Sequence, residues 1–154
     1  MSLADIIKSW PRSWATCPVY RKGVTTPSGG IAEGKQPLGR AHNTDLAPAA
    51  SLHYCEQNPE IYGAIGVFSG PRSGGLLILD VDFALGILQR KYPEDLNGPH
   101  ILSPKRNAAK FLFKLPEADW AHVSDISLIA SNDGWEALWG RMGVFCGAYH
   151  SGGE

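Results

Sequence analysis

An unbroken apolar run near the middle of the chain, residues 76–79, ends in the triplet Asp80-Val81-Asp82. A strand that is solvated on one face alternates apolar and polar residues, whereas this run is apolar at every position. It therefore predicts a strand at the centre of a sheet that is covered on both faces. Because strand side chains alternate with period two, Asp80 and Asp82 are expected on one face at the end of this strand.

Two carboxylates at this spacing repel each other, and one of them tends to stay protonated unless a positive group lies nearby. A divalent cation removes this conflict, and hard cations such as Mg²⁺ prefer carboxylate oxygens. The pair therefore predicts a metal site of the kind that holds phosphates. The structural alternative is that Asp82 caps a helix beginning at Phe83, while Asp80 is merely exposed at the strand end.

The remaining pattern predicts an α+β domain in which a mainly antiparallel sheet carries a few packed helices. Apolar residues 62–68 and 75–82 flank a Gly/Pro/Ser turn, so they are predicted to pair as an antiparallel hairpin. Glycine-rich residues 23–43 predict a long loop. Helices are predicted within residues 4–14, 46–58 and 83–91, and further strands at 17–20, 100–102, 108–115, 126–130, 135–139 and 142–146.

Bulk properties narrow the class of protein. The 154 residues suffice for one domain, expected to span residues 1–154, and the net charge of −1 gives no global attraction for nucleic acid. Three cysteines without CxxC or zinc spacing favour a reduced, intracellular protein. No apolar segment reaches membrane-spanning length and the N-terminus does not resemble a signal peptide, so we expect a cytoplasmic protein without a membrane partner.

Two further segments carry residues suited to phosphate binding. Residues 103–110 place Ser103, Arg106 and Lys110, with a further lysine, just before a predicted strand. Arginine offers a planar fork and lysine a point charge, so the segment could grip a triphosphate; the alternative is a solvated hairpin turn. His150 follows small residues at the end of another predicted strand, where it could donate to a phosphate or simply lie on the surface.

The order of these motifs resembles a known family. GKQPL (residues 34–38), IGVFSG with GGLLILDVD (65–82), SPKRNAAKFLFKLP (103–116) and GAYHSGG (147–153) follow one another as in the bifunctional primase-polymerase domain of the archaeo-eukaryotic primase superfamily, in its phage and plasmid form. That family has an apolar strand ending in Asp-x-Asp or Asp-x-Glu, a small-x-His motif and an upstream Lys-x-Pro-Leu segment. The resemblance covers nearly the whole chain.

The resemblance implies an RRM-like catalytic sheet with an N-terminal αβ unit, and metal-dependent nucleotidyl transfer on a DNA template. Asp80 and Asp82 would hold Mg²⁺ or Mn²⁺. His150 would contact the phosphates of the incoming nucleoside triphosphate. Further contacts to these phosphates would come from Lys35, Ser103, Arg106 and Lys110. The implied partners are template DNA, nucleoside triphosphates and a fused or associated helicase.

One departure from the family pattern limits this expectation. The family has a third acidic metal ligand downstream of the histidine, and here only four residues follow His150. Asp133 and Glu136 precede the histidine and do not fit that position. Either the chain is a fragment of a longer protein, which we expect, or the protein has lost a metal ligand; in both cases we expect the chain to be inactive or weakly active by itself. Two alternatives stay open: a non-catalytic nucleic-acid-binding replication module of the same fold, and a metal-dependent nuclease or phosphatase.

Overall fold

Strands form most of the regular structure in the part of the chain described by a computed structural model: residues 2–33, 35–38, 45–102, 107–125, 129–130 and 133–147. The helices are α1 (Leu3–Ile7), α2 (Pro48–Gln57), α3 (Leu85–Lys91) and α4 (Trp120–Asp125), and the strands are β1 (Thr16–Tyr20), β2 (Tyr62–Phe68), β3 (Leu76–Val81), β4 (Ile101–Leu102), β5 (Ala109–Lys114), β6 (Ile129–Ala130), β7 (Trp135–Leu138) and β8 (Met142–Gly147). Helices combined with mainly antiparallel sheets confirm the predicted α+β class.

The chain divides into two compact units, one formed by Met1–Phe68 with Val144–Glu154 and the other by Ser69–Gly143. In the first unit, strands β1, β2 and β8 form a sheet in that order. Every residue of β1 and β2 is buried. Helix α2 packs near β1, where the hydroxyl groups of Thr16 and Ser51 lie 2.7 Å apart. Each hydroxyl thereby satisfies the other in a buried environment, where an unpaired hydroxyl would be costly.

The second unit contains a five-stranded sheet with the order β4-β5-β3-β7-β6. Strand β3 is central, as its apolar sequence predicts. Ile78 and Val81 lie on opposite faces of β3, and their exposed fractions are 0% and 1%, so both faces of the strand are covered. On the Val81 face, a core cluster also includes Phe111 of β5 and Ala84 and Leu96 from the segment around α3. This cluster packs β3 against β5 and the segment around α3.

The predicted hairpin between residues 62–68 and 75–82 is wrong, although both strands exist. β2 pairs with β1 and β8, whereas β3 pairs with β5 and β7 in the other sheet. A strand has two hydrogen-bonding edges, and both edges of each strand are already occupied. The connecting residues instead form a 3₁₀ turn at Pro71–Ser73, closed by a 2.7 Å hydrogen bond from the Gly70 N–H to the Leu76 carbonyl.

Several smaller expectations are also resolved. Helix α3 begins at Leu85 after an N-cap at Ala84 that has no side-chain hydrogen bond, so the alternative in which Asp82 caps this helix is wrong. Helix α4 was not predicted. The three cysteines are free thiols, and no helix within the described ranges is long and apolar enough to cross a membrane.

Candidate functional site

Asp80 lies near the end of the central strand, between two charged residues on the neighbouring strands. Lys110 of β5 is directly opposite Asp80 on one side, and Glu136 of β7 is directly opposite on the other. Residues directly opposite each other in antiparallel strands point to the same face of the sheet. Ile101 of β4 and Ile129 of β6 complete this row of register positions. The sheet thus places a carboxylate, an ammonium and a second carboxylate side by side.

The side chains of Asp80 and Lys110 form an ion pair, with 2.6 Å between the Lys110 Nζ and the Asp80 Oδ1. The two strands alternate between hydrogen-bonded and non-hydrogen-bonded residue pairs, and a hydrogen bond from the Leu115 N–H to the Gly75 carbonyl fixes the phase. Asp80 and Lys110 therefore form a non-hydrogen-bonded pair, in which side chains approach more closely. Their side chains are only 14% and 18% exposed, so water screens the attraction weakly.

Asp82 lies one residue beyond the last position of β3. Its backbone N–H donates to the Gly134 carbonyl at 2.9 Å, which extends the pairing between β3 and β7 by one bond. The Phe83 N–H also donates to the Gly134 carbonyl, at 3.4 Å, so the regular ladder ends here and Asp82 lies in a bend directly after the strand. Unlike Asp80, Asp82 is exposed, and no hydrogen bond or ion pair joins its carboxylate to another described residue.

Glu136 was excluded as a site residue by the order of the family motifs along the chain. Because it precedes the small-x-His motif in the chain, the family pattern gives no reason to choose it. The sheet register nevertheless places it opposite Asp80, and its side chain is partly buried. A prediction that β3 and β7 are neighbours would have been needed to find it. The register thus places Glu136 beside the Asp80–Lys110 pair, while Asp82 follows two residues after Asp80 in the chain.

The donor chemistry of this site fits a hard divalent cation. Mg²⁺ is usually held by one or two carboxylates together with water and substrate phosphates, and Asp80 and Asp82 are the two carboxylates that the sequence predicts for it. Across the ranges that the structure covers, no group of three or more histidine, cysteine, aspartate or glutamate side chains lies close enough to hold a metal by itself. The described residues therefore contain no metal site formed by three or more such side chains.

The other predicted site residues divide into two groups. Lys35 is exposed, has a positive φ of 52° and belongs to the first compact unit, whereas Asp80, Asp82 and Lys110 belong to the second. Ser103, Arg106 and His150 lie outside the described residues. The structure thus brings together Asp80, Asp82 and Lys110 from the predicted set and adds Glu136.

Comparisons with known proteins add no relative to this picture. No protein-family model matches the chain, and neither a curated protein nor a solved structure matches it. The α+β class is therefore what the structure shows of its classification.

Proposed function

We propose that this chain is the catalytic core of a DNA-templated nucleotidyltransferase, a primase or polymerase that acts in the replication of a phage, plasmid or other mobile element. In this proposal the sheet of the second unit corresponds to the RRM-like catalytic sheet, and the first unit to the N-terminal αβ unit. The single observation that carries the proposal is the position of Asp80 near the end of the central strand, with a lysine opposite on one side and a glutamate opposite on the other. The ordered sequence motifs support it.

The residues of this site have distinct roles in the proposal. Asp80 and Asp82 hold Mg²⁺ or Mn²⁺, which when bound lowers the pKa of a hydroxyl nucleophile and neutralises charge on the triphosphate. Asp80 provides a fixed carboxylate because the ladder holds its strand on both edges. Asp82 provides an accessible carboxylate because it is exposed at the strand end.

The proposed phosphate-binding residues are cationic or can donate hydrogen bonds. Lys110 contributes a positive charge next to the carboxylates, and Lys35, Ser103, Arg106 and His150 are assigned to phosphate contacts on the basis of their motifs. Glu136 is a neighbouring carboxylate, opposite Asp80 in the sheet register. It is not assigned as a third metal ligand, because no three such side chains among the described residues lie close enough to hold a metal together.

The test is primer synthesis and primer extension on single-stranded DNA, with Mg²⁺ or Mn²⁺ and either ribo- or deoxyribonucleoside triphosphates. Asp80→Asn and Asp82→Asn should each abolish any product, because each removes a charged donor while keeping the side-chain shape. Asp95→Asn is the matched control, since Asp95 is exposed in the loop after α3 and lies outside the site. Product formation that survives Asp80→Asn would contradict the proposal.

A second candidate is a non-catalytic nucleic-acid-binding module with this fold. The observation that favours it is the Asp80–Lys110 ion pair, because Lys110 already neutralises a carboxylate that catalysis would need. Such a module would bind single-stranded DNA, give no nucleotidyl transfer and be unaffected by divalent cations. A nuclease would instead degrade the DNA when nucleoside triphosphates are left out, so the same reactions separate all three functions.

A further inference from the structure

The ammonium of Lys110 lies where a cation is needed at Asp80. The Nζ–Oδ1 distance of 2.6 Å is that of a strong charge-assisted hydrogen bond, and both side chains are mostly shielded from water. Ile78, the preceding residue on the same face of β3, is fully buried. The ion pair is therefore part of the packed sheet, unlike an exposed pair that water and salt would weaken.

A metal ion and the Lys110 ammonium would compete for the Asp80 carboxylate. A metal that binds Asp80 must displace the hydrogen bond from Lys110 or share the carboxylate with it at the cost of cation–cation repulsion. Where the metal displaces Lys110, the lost free energy of the ion pair weakens the net binding of the metal; where the two share the carboxylate, their repulsion does so. Once displaced, the Lys110 ammonium is a free charge on the side of Asp80 away from Glu136, and an anionic phosphate is a suitable partner for it.

We propose that Lys110 is a positioning residue that occupies the cation position at Asp80 in the metal-free protein, and that Mg²⁺ or Mn²⁺ binds in competition with it. This inference rests on the proposed function for its choice of metal and of triphosphate as substrate. It explains how a lysine suited to phosphate binding also forms a shielded ion pair with a candidate metal ligand. The exchange of Lys110 from carboxylate to phosphate couples metal binding to triphosphate binding, and such coupling acts equally in both directions.

The experiment measures Mn²⁺ affinity by calorimetry and by electron paramagnetic resonance, without nucleotide. Lys110→Met removes the competing ammonium while keeping the length of the side chain, and it should raise Mn²⁺ affinity about tenfold or more. Lys110→Arg keeps a charged competitor and should stay close to the unaltered chain. Lys114→Met is the matched control: Lys114 lies on the same face of β5 and is exposed, but it is opposite Leu76 and not a carboxylate. It should change the affinity less than twofold.

A double-mutant cycle tests whether the effect passes through Asp80. In the Asp80→Asn background, Lys110→Met should no longer raise Mn²⁺ affinity, because the carboxylate for which the two cations compete is absent. An equal gain in both backgrounds would indicate a general charge effect and overturn the inference. Unchanged or weaker Mn²⁺ binding by the Lys110→Met single variant would overturn it as well.

A measurement on the unaltered chain protects the test against misfolding of the variant. In isotope-labelled protein, the Lys110 ammonium nitrogen should shift on addition of diamagnetic Mg²⁺ and exchange its protons faster with water, while Lys114 stays unchanged. Mg²⁺ binding that leaves the Lys110 signal unaltered would overturn the inference. Tighter Mn²⁺ binding by Lys110→Met without any nucleotidyl transfer would instead remove the proposed function and keep the competition. Nucleotidyl transfer by the unaltered chain, combined with equal Mn²⁺ affinities of the unaltered chain and Lys110→Met, would keep the proposed function and remove the competition.

Discussion

Adding one methyl group at Gly147 should strongly destabilise the unit to which β8 contributes. Gly147 ends β8 with a φ of +94°, and a left-handed backbone conformation costs a non-glycine residue about 1–2 kcal/mol. A Cβ at this position would collide with the Gly63 carbonyl oxygen and lie 2.6 Å from the Ala64 Cα. Both are backbone atoms of β2, so β8 would have to shift, which adds about 1–3 kcal/mol of overpacking. We expect Gly147→Ala to lower the free energy of unfolding by about 2–5 kcal/mol in total.

Gly23→Ala separates the two contributions. Gly23 has a similar φ of +88°, but a Cβ there would meet no atom within 4 Å. Its substitution should cost only the conformational term, about 1–2 kcal/mol. Urea unfolding followed by circular dichroism should therefore give a midpoint for Gly147→Ala that is roughly 1 M below that of Gly23→Ala, for an m-value of about 1–3 kcal/mol/M. Equal midpoints would show that β2 yields without cost, and the packing argument would be refuted.

Two further predictions concern other packed positions. Gly75→Ala would put a Cβ 2.5 Å from the Trp120 Nε1 and 2.6 Å from the Leu115 carbonyl oxygen, so it should break the 3.0 Å hydrogen bond between them and shift the tryptophan emission. Because Gly75 also has a φ of +91°, the substitution should cost about 2–5 kcal/mol, and an unaltered spectrum and urea midpoint would contradict this. Burial raises the pKa of Cys55 to about 11 and that of Cys146 to about 12 from an ordinary 9.0. Since unfolded thiols ionise first, stability should be full below about pH 9 and fall as the pH rises toward 11–12. At pH 8 iodoacetamide should label the buried Cys55 only on unfolding, and rapid labelling of Cys55 in the folded chain would refute its burial.

The positions of the main strands could be predicted from sequence because burial leaves a local signal. The apolar run at residues 62–68 coincides with β2, and the run ending at Asp80 coincides with the central strand β3. Their pairing could not be predicted in the same way. A turn-like segment indicates that the chain changes direction, but the sheet that each strand joins depends on distant segments. Here those segments satisfy both edges of each strand.

The candidate site shows the same division between local and distant information. Period two in a strand predicts Asp80 and Asp82 on one face; the structure places Asp80 in β3 and Asp82 in the bend that follows it, so the shared face stays a prediction. The ion pair with Lys110 requires the register between β3 and β5, which a list of motifs does not contain. Glu136 was set aside because motif order was used as a guide to position. Strand order in an antiparallel sheet does not follow chain order. Residues far apart in the chain, such as Asp80 and Glu136, can therefore lie opposite each other.

The central position of β3 also determines how the two carboxylates respond to local opening. β3 is hydrogen-bonded along both edges, so Asp80 can be displaced only when its sheet unfolds cooperatively. Asp82 is held by its single backbone bond to Gly134 beyond the end of the ladder, where fraying costs little. The candidate site therefore combines a carboxylate held in the middle of the sheet with an exposed carboxylate just beyond the end of the strand. Amide hydrogen exchange should be slow at Asp80, at the rate of global unfolding of the sheet, and much faster at Asp82.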